Sequence, residues 1–236
     1  MLQDFFSGLA TLAHRQRTYR NIVSLRASRD LFDDLSDDPG DRAIAAAVEL
    51  AHKPPTYHAA QPVISRPFEE AAWSAAIGFP FVHWTRSRYS DGSFGVWYGG
   101  DSVATTVHET AWHWRNGLLS DAEGFLRPGI SMERSVYTVM LDAVLIDLRD
   151  AVDTWPALID PDDYGFTQQV GQRFHQQGLP GLITRSARCS GDSVAIFQPA
   201  VLSAPRQHCY LTYRTTATGV EVERKPGTVW LRLRYS

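Results

Sequence analysis

The sequence predicts an α+β fold, and three observations carry that prediction. After Tyr57, segments with strand character outnumber helical ones. They do not alternate with helices in the strict order of βαβ units. The tail HCYLTYRTTATGVEVERKPGTVWLRLRYS alternates and turns like a β-meander. The chain has 236 residues, enough for one substantial core or for one domain with an extension. Hydrophobic residues make up 44% and charged residues 21%, the balance of a soluble globular protein. A formal net charge of −3 argues against direct nucleic-acid binding through a basic face. Cys189 and Cys209 are the only cysteines, which excludes a disulfide framework or a zinc knuckle and fits a reducing compartment. The N-terminus makes a poor secretory signal, and no apolar run approaches about 18 residues. The expectation is therefore a cytoplasmic protein that does not engage a membrane. Seven tryptophans and nine tyrosines suit either core packing or a ring-lined pocket.

The elements follow in order. Residues 1 to about 53 read as helical, since LQDFFSGLATLAHRQRTYRNIVSLRAS places apolar residues at helical spacing. A basic cluster from His14 to Arg29 gives way to the acidic break DLFDDLSDDPGD, with Pro39-Gly40 as its turn. DRAIAAAVELAHK is an alanine-rich helix opened by Asp41 and stopped by Pro54-Pro55. This divides the chain into a helical extension over 1–56 and a main domain over 57–236. In the main domain FVHWTR and FGVWYGG read as strands joined by the turn YSDGS. Asp101 or Ser102 caps a helix that runs to about Asn116 and ends at Gly117. SVYTVMLDAVLIDL supplies one or two strands, and DDYGFTQQVGQRFHQQG a helix closed by Gly178. PGLITRS and SVAIFQPAVL are buried-type strands flanking the polar loop ARCSGD. The pairs in SDDPGD and PDDYG read as caps and turns rather than metal sites.

The stretch VHETAWH invites a zinc reading, and counting opposes it. The protease motif H-E-x-x-H needs histidines four apart so that both reach one metal. His108 and His113 are five apart. That step turns the second ring about 140° from the first. No acidic third ligand follows at a recognisable spacing, so no metal is expected. Glu109 is left for other chemistry.

Reading outward from Glu109 gives an ordered set. Arg88 ends one expected strand, Tyr98 ends the next, and Glu109 follows on the helix. Much later TRSARCSGDSVAIFQP places Ser186 between Arg185 and Arg188. Taken singly, each residue has an ordinary reading. Glu109 fits a solvated helix face, because the apolar stripe Val103, Val107, Ala111 and Trp114 lies elsewhere. Tyr98 fits a core strand, Arg88 a surface ion pair, and Ser186 a turn.

Taken together, they resemble the RES-domain toxins, named for an arginine, a glutamate and a serine. SRYSDGSFGVWYGG places Arg88 and Tyr98 in register, DSVATTVHET places Glu109, and LITRSARCSGDSVAIFQP places Ser186 and Arg188. AVLIDLRD is similar to the family's central strand. The resemblance covers about residues 62 to 204. The chain departs from the pattern at Tyr89, in place of a tryptophan, and at Ser90, in place of an asparagine. It also has Arg86-Ser87 and Gly99-Gly100 where the family has Gly-Gly and two alanines.

The resemblance implies an ADP-ribosyltransferase-like mixed β-sheet with flanking helices. It implies NAD⁺ as a substrate, not a resident cofactor, and a small helix-turn-helix antitoxin of the Xre type as partner. The implied reaction is cleavage of the nicotinamide–ribose bond by water or phosphate. The alternatives are transfer of ADP-ribose to a protein, or a module of the same fold that binds a dinucleotide or protein without turnover.

Residue chemistry stands beside this. Cleavage of that bond passes through an oxocarbenium-like state, as in glycosides. A carboxylate such as Glu109 stabilises the developing positive charge. Tyr98 offers a ring face to the cationic nicotinamide. Arg88 and Arg188 offer forks of donors to a pyrophosphate. Ser186 can hydrogen-bond the ribose or the amide, and Arg66 is a weaker candidate for phosphate. A serine hydrolase built on Ser186 would lack the G-x-S-x-G elbow.

Overall fold

A computed structural model describes residues 2–24, 72–119 and 127–235. The first helix, α1 (Leu2–Phe6), leads into strand β1 (Ala10–Val23). A π-helical turn at Ser74–Gly78 runs into α2 (Phe79–Val82), followed by β2 (Trp97–Gly100) and α3 (Val103–His113). Then come β3 (Ser131–Asp147), α4 (Ala151–Thr154) and α5 (Gly165–Gln176). The chain ends with β4 (Gly181–Arg185), β5 (Asp192–Ile196), β6 (Leu202–Thr216), β7 (Gly219–Lys225) and β8 (Thr228–Arg234). The eight strands form one mixed sheet in the order β1-β2-β5-β4-β3-β6-β7-β8, and β1 also pairs with β3. The α+β class is as the sequence predicts. Its mixed character comes from β3 and β4, which run parallel while their neighbours β5 and β2 run antiparallel.

Among the described residues the chain divides into two compact units. The first holds residues 2–20, 72–109 and 137–206. Its four central strands are in tight register: Tyr98 opposes Ala195, which opposes Leu182, which opposes Ile146. Successive strand residues point to opposite faces, so this row shares one face and its chain neighbours share the other. Tyr98, Ala195, Leu182 and Ile146 pack with Phe5, Leu148, Leu158, Val170 and Phe174, drawn from the helices and turns on that side. Trp97, Ile183, Val194 and Ile196 pack with Ala76 and Ile77 on the other. Cover on both faces explains why GLITR and SVAIF read as continuous apolar runs.

The second unit holds 21–24, 110–119, 127–136 and 207–235. β6, β7 and β8 form the expected antiparallel meander. Its interior contains a polar group of residues. Tyr213, fully buried, accepts a hydrogen bond from Asn21 Nδ2 at 2.8 Å. Arg134 donates through Nε to Asn21 Oδ1 at 2.9 Å and through Nη2 to the Asn21 carbonyl at 3.0 Å.

Several expectations change. The segment expected to begin a helical extension is helical only at Leu2–Phe6; Ala10–Val23 is a strand. Helical spacing was misleading because the buried positions Thr18 and Asn21 are polar, so the apolar pattern did not report the buried face. Pairing of Tyr19 with Gly100, rather than intrinsic preference, sets the conformation. The helix over DRAIAAAVELAHK, the boundary at 56/57, and Arg66 lie outside the described residues. FVHWTR is not a strand: Phe79–Val82 is a helical turn and the residues after it are irregular. Gly117 does not stop its helix, because α3 continues as a π-helical stretch from Trp114 to Leu119. SVYTVMLDAVLIDL, expected to supply one or two strands, supplies one, the long strand that ends at Asp147.

Gly178 closes α5 as expected, at φ +69°, with Leu179 N–H donating to the Phe174 carbonyl at 3.1 Å. Inside that helix, Gly171 lies directly against the Tyr89 backbone, and a methyl group there would overlap the Tyr89 carbonyl oxygen. Neither backbone can yield easily. Gly171→Ala should therefore lower stability in urea by about 1–3 kcal/mol despite alanine's better helix propensity. A variant as stable as the parent would show that the helix does not hold the Tyr89 turn.

Candidate functional site

The site residues belong to the first unit and are delivered by four short features of its chain. Ser90 makes the first, the turn that carries Arg88. Its buried hydroxyl donates to the Phe94 carbonyl at 2.7 Å and accepts the Gly92 N–H at 3.1 Å. Ser87 N–H closes the turn on the Ser90 carbonyl at 2.8 Å. Tyr98, at the middle of β2, pins this turn from the sheet. Its hydroxyl donates to Ser87 Oγ at 2.8 Å and accepts the Tyr89 N–H at 2.9 Å. From the opposite side, Gln168 Nε2 of α5 donates to the Ser87 carbonyl at 2.9 Å. A serine thus does the turn-forming work at the position where the resemblance expects asparagine.

Glu109 rides on α3. Ser102 caps that helix, its hydroxyl accepting the Thr105 N–H at 3.1 Å. Asp101 bonds elsewhere: its carboxylate accepts from Thr105 Oγ1 and from the Asp192 N–H, tying the helix start to β5. The stripe Val103, Val107, Ala111 and Trp114 is buried, which leaves Glu109 half-buried beside it, as the spacing indicates. His108 is half-buried, and His113 is exposed on another side of the helix. Burial lowers the His108 imidazole from its ordinary range, with the Glu109 carboxylate pulling the other way. His108 therefore stands neutral near pH 7.

Ser186 follows β4, at the start of the loop that the Ser186 N–H closes on the Gly191 carbonyl at 2.8 Å. Its buried hydroxyl donates to Glu109 Oε1 at 2.6 Å and accepts the Arg188 N–H at 3.0 Å. Residues 77 positions apart are thereby joined through one short contact. Tyr89 lies beneath, fully buried, with its hydroxyl facing Thr184. The strand ends are fixed by Arg149, which bridges Asp147 at 2.6 Å and Asp192 at 3.1 Å. That pairing lowers the Asp147 carboxyl and raises the guanidinium.

The arginines divide. Arg185 turns outward to Asp153, at 2.7 Å. Arg88 donates through Nη1 to the carbonyls of Asp160, at 2.8 Å, and Leu158, at 3.5 Å. Its guanidinium lies 4.5 Å from the centre of the Tyr164 ring. Arg188 donates through Nη2 to the carbonyl of Pro161. Both cations thus meet the loop before α5, whose PDDYG sequence forms the turn expected of it. Asp160 Oδ1 accepts the N–H groups of Asp162 and Asp163, and Asp163 Oδ1 that of Gly165.

The structure thus joins Glu109 to Ser186, Tyr98 to the turn of Arg88, and both arginines to one loop. Sequence reading missed Asp147, Arg149 and Asp192, as well as Asp160 and Tyr164. Only the Asp-rich turn gave a local signal, and it gave none about the arginines.

Burial raises the Tyr98 phenol to about 12, the bonds to Ser87 and Tyr89 opposing the shift. Above pH 10 the unfolded chain loses this proton while the folded state keeps it. The unfolded state then binds fewer protons, so stability falls as pH rises from about 10 to about 12. One phenol contributes at most about 1.4 kcal/mol per pH unit to that fall. Tyr98→Phe should lose about 1–2 kcal/mol at pH 7, from its two hydrogen bonds, and should show a shallower alkaline decline. Urea unfolding at pH 7 to 12 tests both, and an unchanged slope would deny Tyr98 this protonation behaviour.

A family model for the RES domain matches residues 64–216, which extends beyond the resemblance read from the motifs to the end of β6. A solved structure described as the crystal structure of the M. tuberculosis MbcT-MbcA toxin-antitoxin complex is similar over 87% of this chain and 87% of that one. The identity is 14% and the TM-score 0.42. No curated protein matches. The matched span exceeds half of the sequence and contains Arg88, Tyr98, Glu109, Ser186 and Arg188, and on that match the chain belongs to the RES-domain family.

Proposed function

We propose that this protein is an NAD⁺-consuming toxin enzyme that cleaves the nicotinamide–ribose bond and is neutralised by a cognate antitoxin. The observation that carries the reading is the 2.6 Å bond from Ser186 to Glu109. It presents a carboxylate in a fixed orientation within one compact unit that also holds two arginines and an aromatic strand residue. A hydrogen bond to a charged acceptor is worth about 1.5–3 kcal/mol, enough to hold one side-chain orientation. Ser186 occupies Oε1; Oε2 has no protein partner among the described residues and is left for a ribose hydroxyl.

In this reading the C–N bond between ribose and nicotinamide breaks, and its electron pair goes to the ring nitrogen. Nicotinamide leaves neutral and needs no strong general acid. The ribose becomes oxocarbenium-like, and the Glu109 carboxylate stabilises that charge where it forms. An oxygen of water or phosphate then bonds to the same carbon, with loss of its proton to solvent in the case of water. Arg88 and Arg188 hold the pyrophosphate. Tyr98 offers its ring to the nicotinamide and, through its hydroxyl, holds the turn of Arg88. Ser186 orients Glu109. The toxin part of the proposal draws on the family; an antitoxin segment bearing a carboxylate would compete for the same arginines.

Glu109→Gln keeps the size of the side chain and removes its charge. It should reduce nicotinamide release by a hundredfold or more, on the order of one strong electrostatic contact. Its fold should persist, and cells expressing it should keep their NAD⁺. Ser186→Ala should lose about tenfold or more, on the order of the hydrogen bond that orients the carboxylate. A folded Gln variant that releases nicotinamide at the parent rate would refute the assignment.

A further inference from the structure

Arg88 and Arg188 are not turned to solvent; both donate to a single exposed turn. Between them they reach three consecutive-region carbonyls, those of Leu158, Asp160 and Pro161. The turn is built to present them. Leu158 is fully buried and anchors one end, while Asp162 and Asp163 are exposed. Asp160 Oδ1 holds the bend by accepting the Asp162 N–H at 2.9 Å and the Asp163 N–H at 2.7 Å. Those N–H bonds, and then the fields of Arg88 and Arg188, keep the Asp160 carboxyl below its ordinary range.

We infer that the turn from Leu158 to Asp163 is a built-in occupant of the Arg88–Arg188 anion site, and that a pyrophosphate group must displace it to bind. The inference rests on the proposed reading only in taking the two arginines as the pyrophosphate site. Two features favour the displacement. The carbonyls hold Arg88 Nη1 and Arg188 Nη2 as neutral acceptors; a phosphate brings full opposite charge and can take two parallel N–H bonds from one guanidinium. The Asp160 carboxylate also lies in the field of both arginines, where its charge repels an arriving phosphate. The turn therefore sets the affinity of the site. It gives a resting state in which Arg88 Nη1 and Arg188 Nη2 are engaged, and it makes ligand entry depend on a movement of exposed residues whose ends stay anchored.

The test uses the whole chain and inorganic pyrophosphate as probe, in calorimetric titrations of wild type, Asp160→Ala and Asp160→Asn. The Ala variant loses both the bend and the charge and should bind pyrophosphate at least fivefold more tightly. The Asn variant keeps an acceptor for the bend and should gain less. In the wild type, amide exchange at Asp162 and Asp163 should quicken when pyrophosphate saturates the protein. A folded Ala variant that binds no more tightly overturns the inference, as does exchange at these amides that stays unchanged at saturation. So does an absence of pyrophosphate binding in all three proteins. Nicotinamide release from NAD⁺ by the same preparations keeps the two claims apart. Release by a wild type whose turn does not respond leaves the enzyme reading standing and sinks this one. A turn that opens for pyrophosphate in a protein that never consumes NAD⁺ does the reverse.

Discussion

The hydrogen bond from Ser186 to Glu109 is the constraint on which the site depends. A glutamate on a helix has three rotatable bonds and, left to itself, samples many orientations in water. Here a buried hydroxyl with both of its roles assigned reduces that freedom: it donates to the carboxylate and accepts from the Arg188 backbone. The donor is buried and its position is set by the closed loop between β4 and β5. The carboxylate is consequently placed before any ligand arrives. In the proposed reaction, such preorganisation lets a fixed charge act on a developing one without first reordering.

The scaffold holds that pair and the Arg88 turn in place. Apolar cover on both faces of the central strands makes β2, β5, β4 and the end of β3 a rigid plate. Polar ties then fix what protrudes from it. Arg149 clamps the ends of β3 and β5 through two aspartates, and Asp101 joins the start of α3 to β5. Tyr98 reaches from the plate to the turn of Arg88, which Gln168 and the Gly171 surface hold from the helix side. Tyr98 thus ties Arg88 to the sheet by its hydroxyl, independently of any stacking by its ring.

Much of this was legible in the sequence, for identifiable reasons. The strands GLITR and SVAIF, the helix from Gly165 and the final meander were read correctly because apolar runs, caps and turn residues report burial directly. Motif order singles out Glu109 and Ser186, which the structure bonds to each other; nothing local distinguishes either from an ordinary helix glutamate or turn serine. The strand Ala10–Val23 was misread because its buried residues are polar and its conformation is imposed by distant partners. FVHWTR reads as a strand from its β-prone residues, but Val82 and Trp84 are exposed and Phe79–Val82 forms a helical turn. The Arg149 clamp and the meeting of Arg88 and Arg188 with the Asp160 turn arise from contacts far apart in the chain, and no spacing rule announces them.

The most direct test of the account is a crystal structure of the Glu109→Gln variant with NAD⁺, which the impaired chemistry should leave intact. The account predicts the nicotinamide ribose at residue 109 beside Ser186, the pyrophosphate on Arg88 and Arg188, and the Asp160 turn withdrawn from both arginines. NAD⁺ bound at a surface away from residue 109, or bound there with its pyrophosphate remote from both arginines, would contradict it.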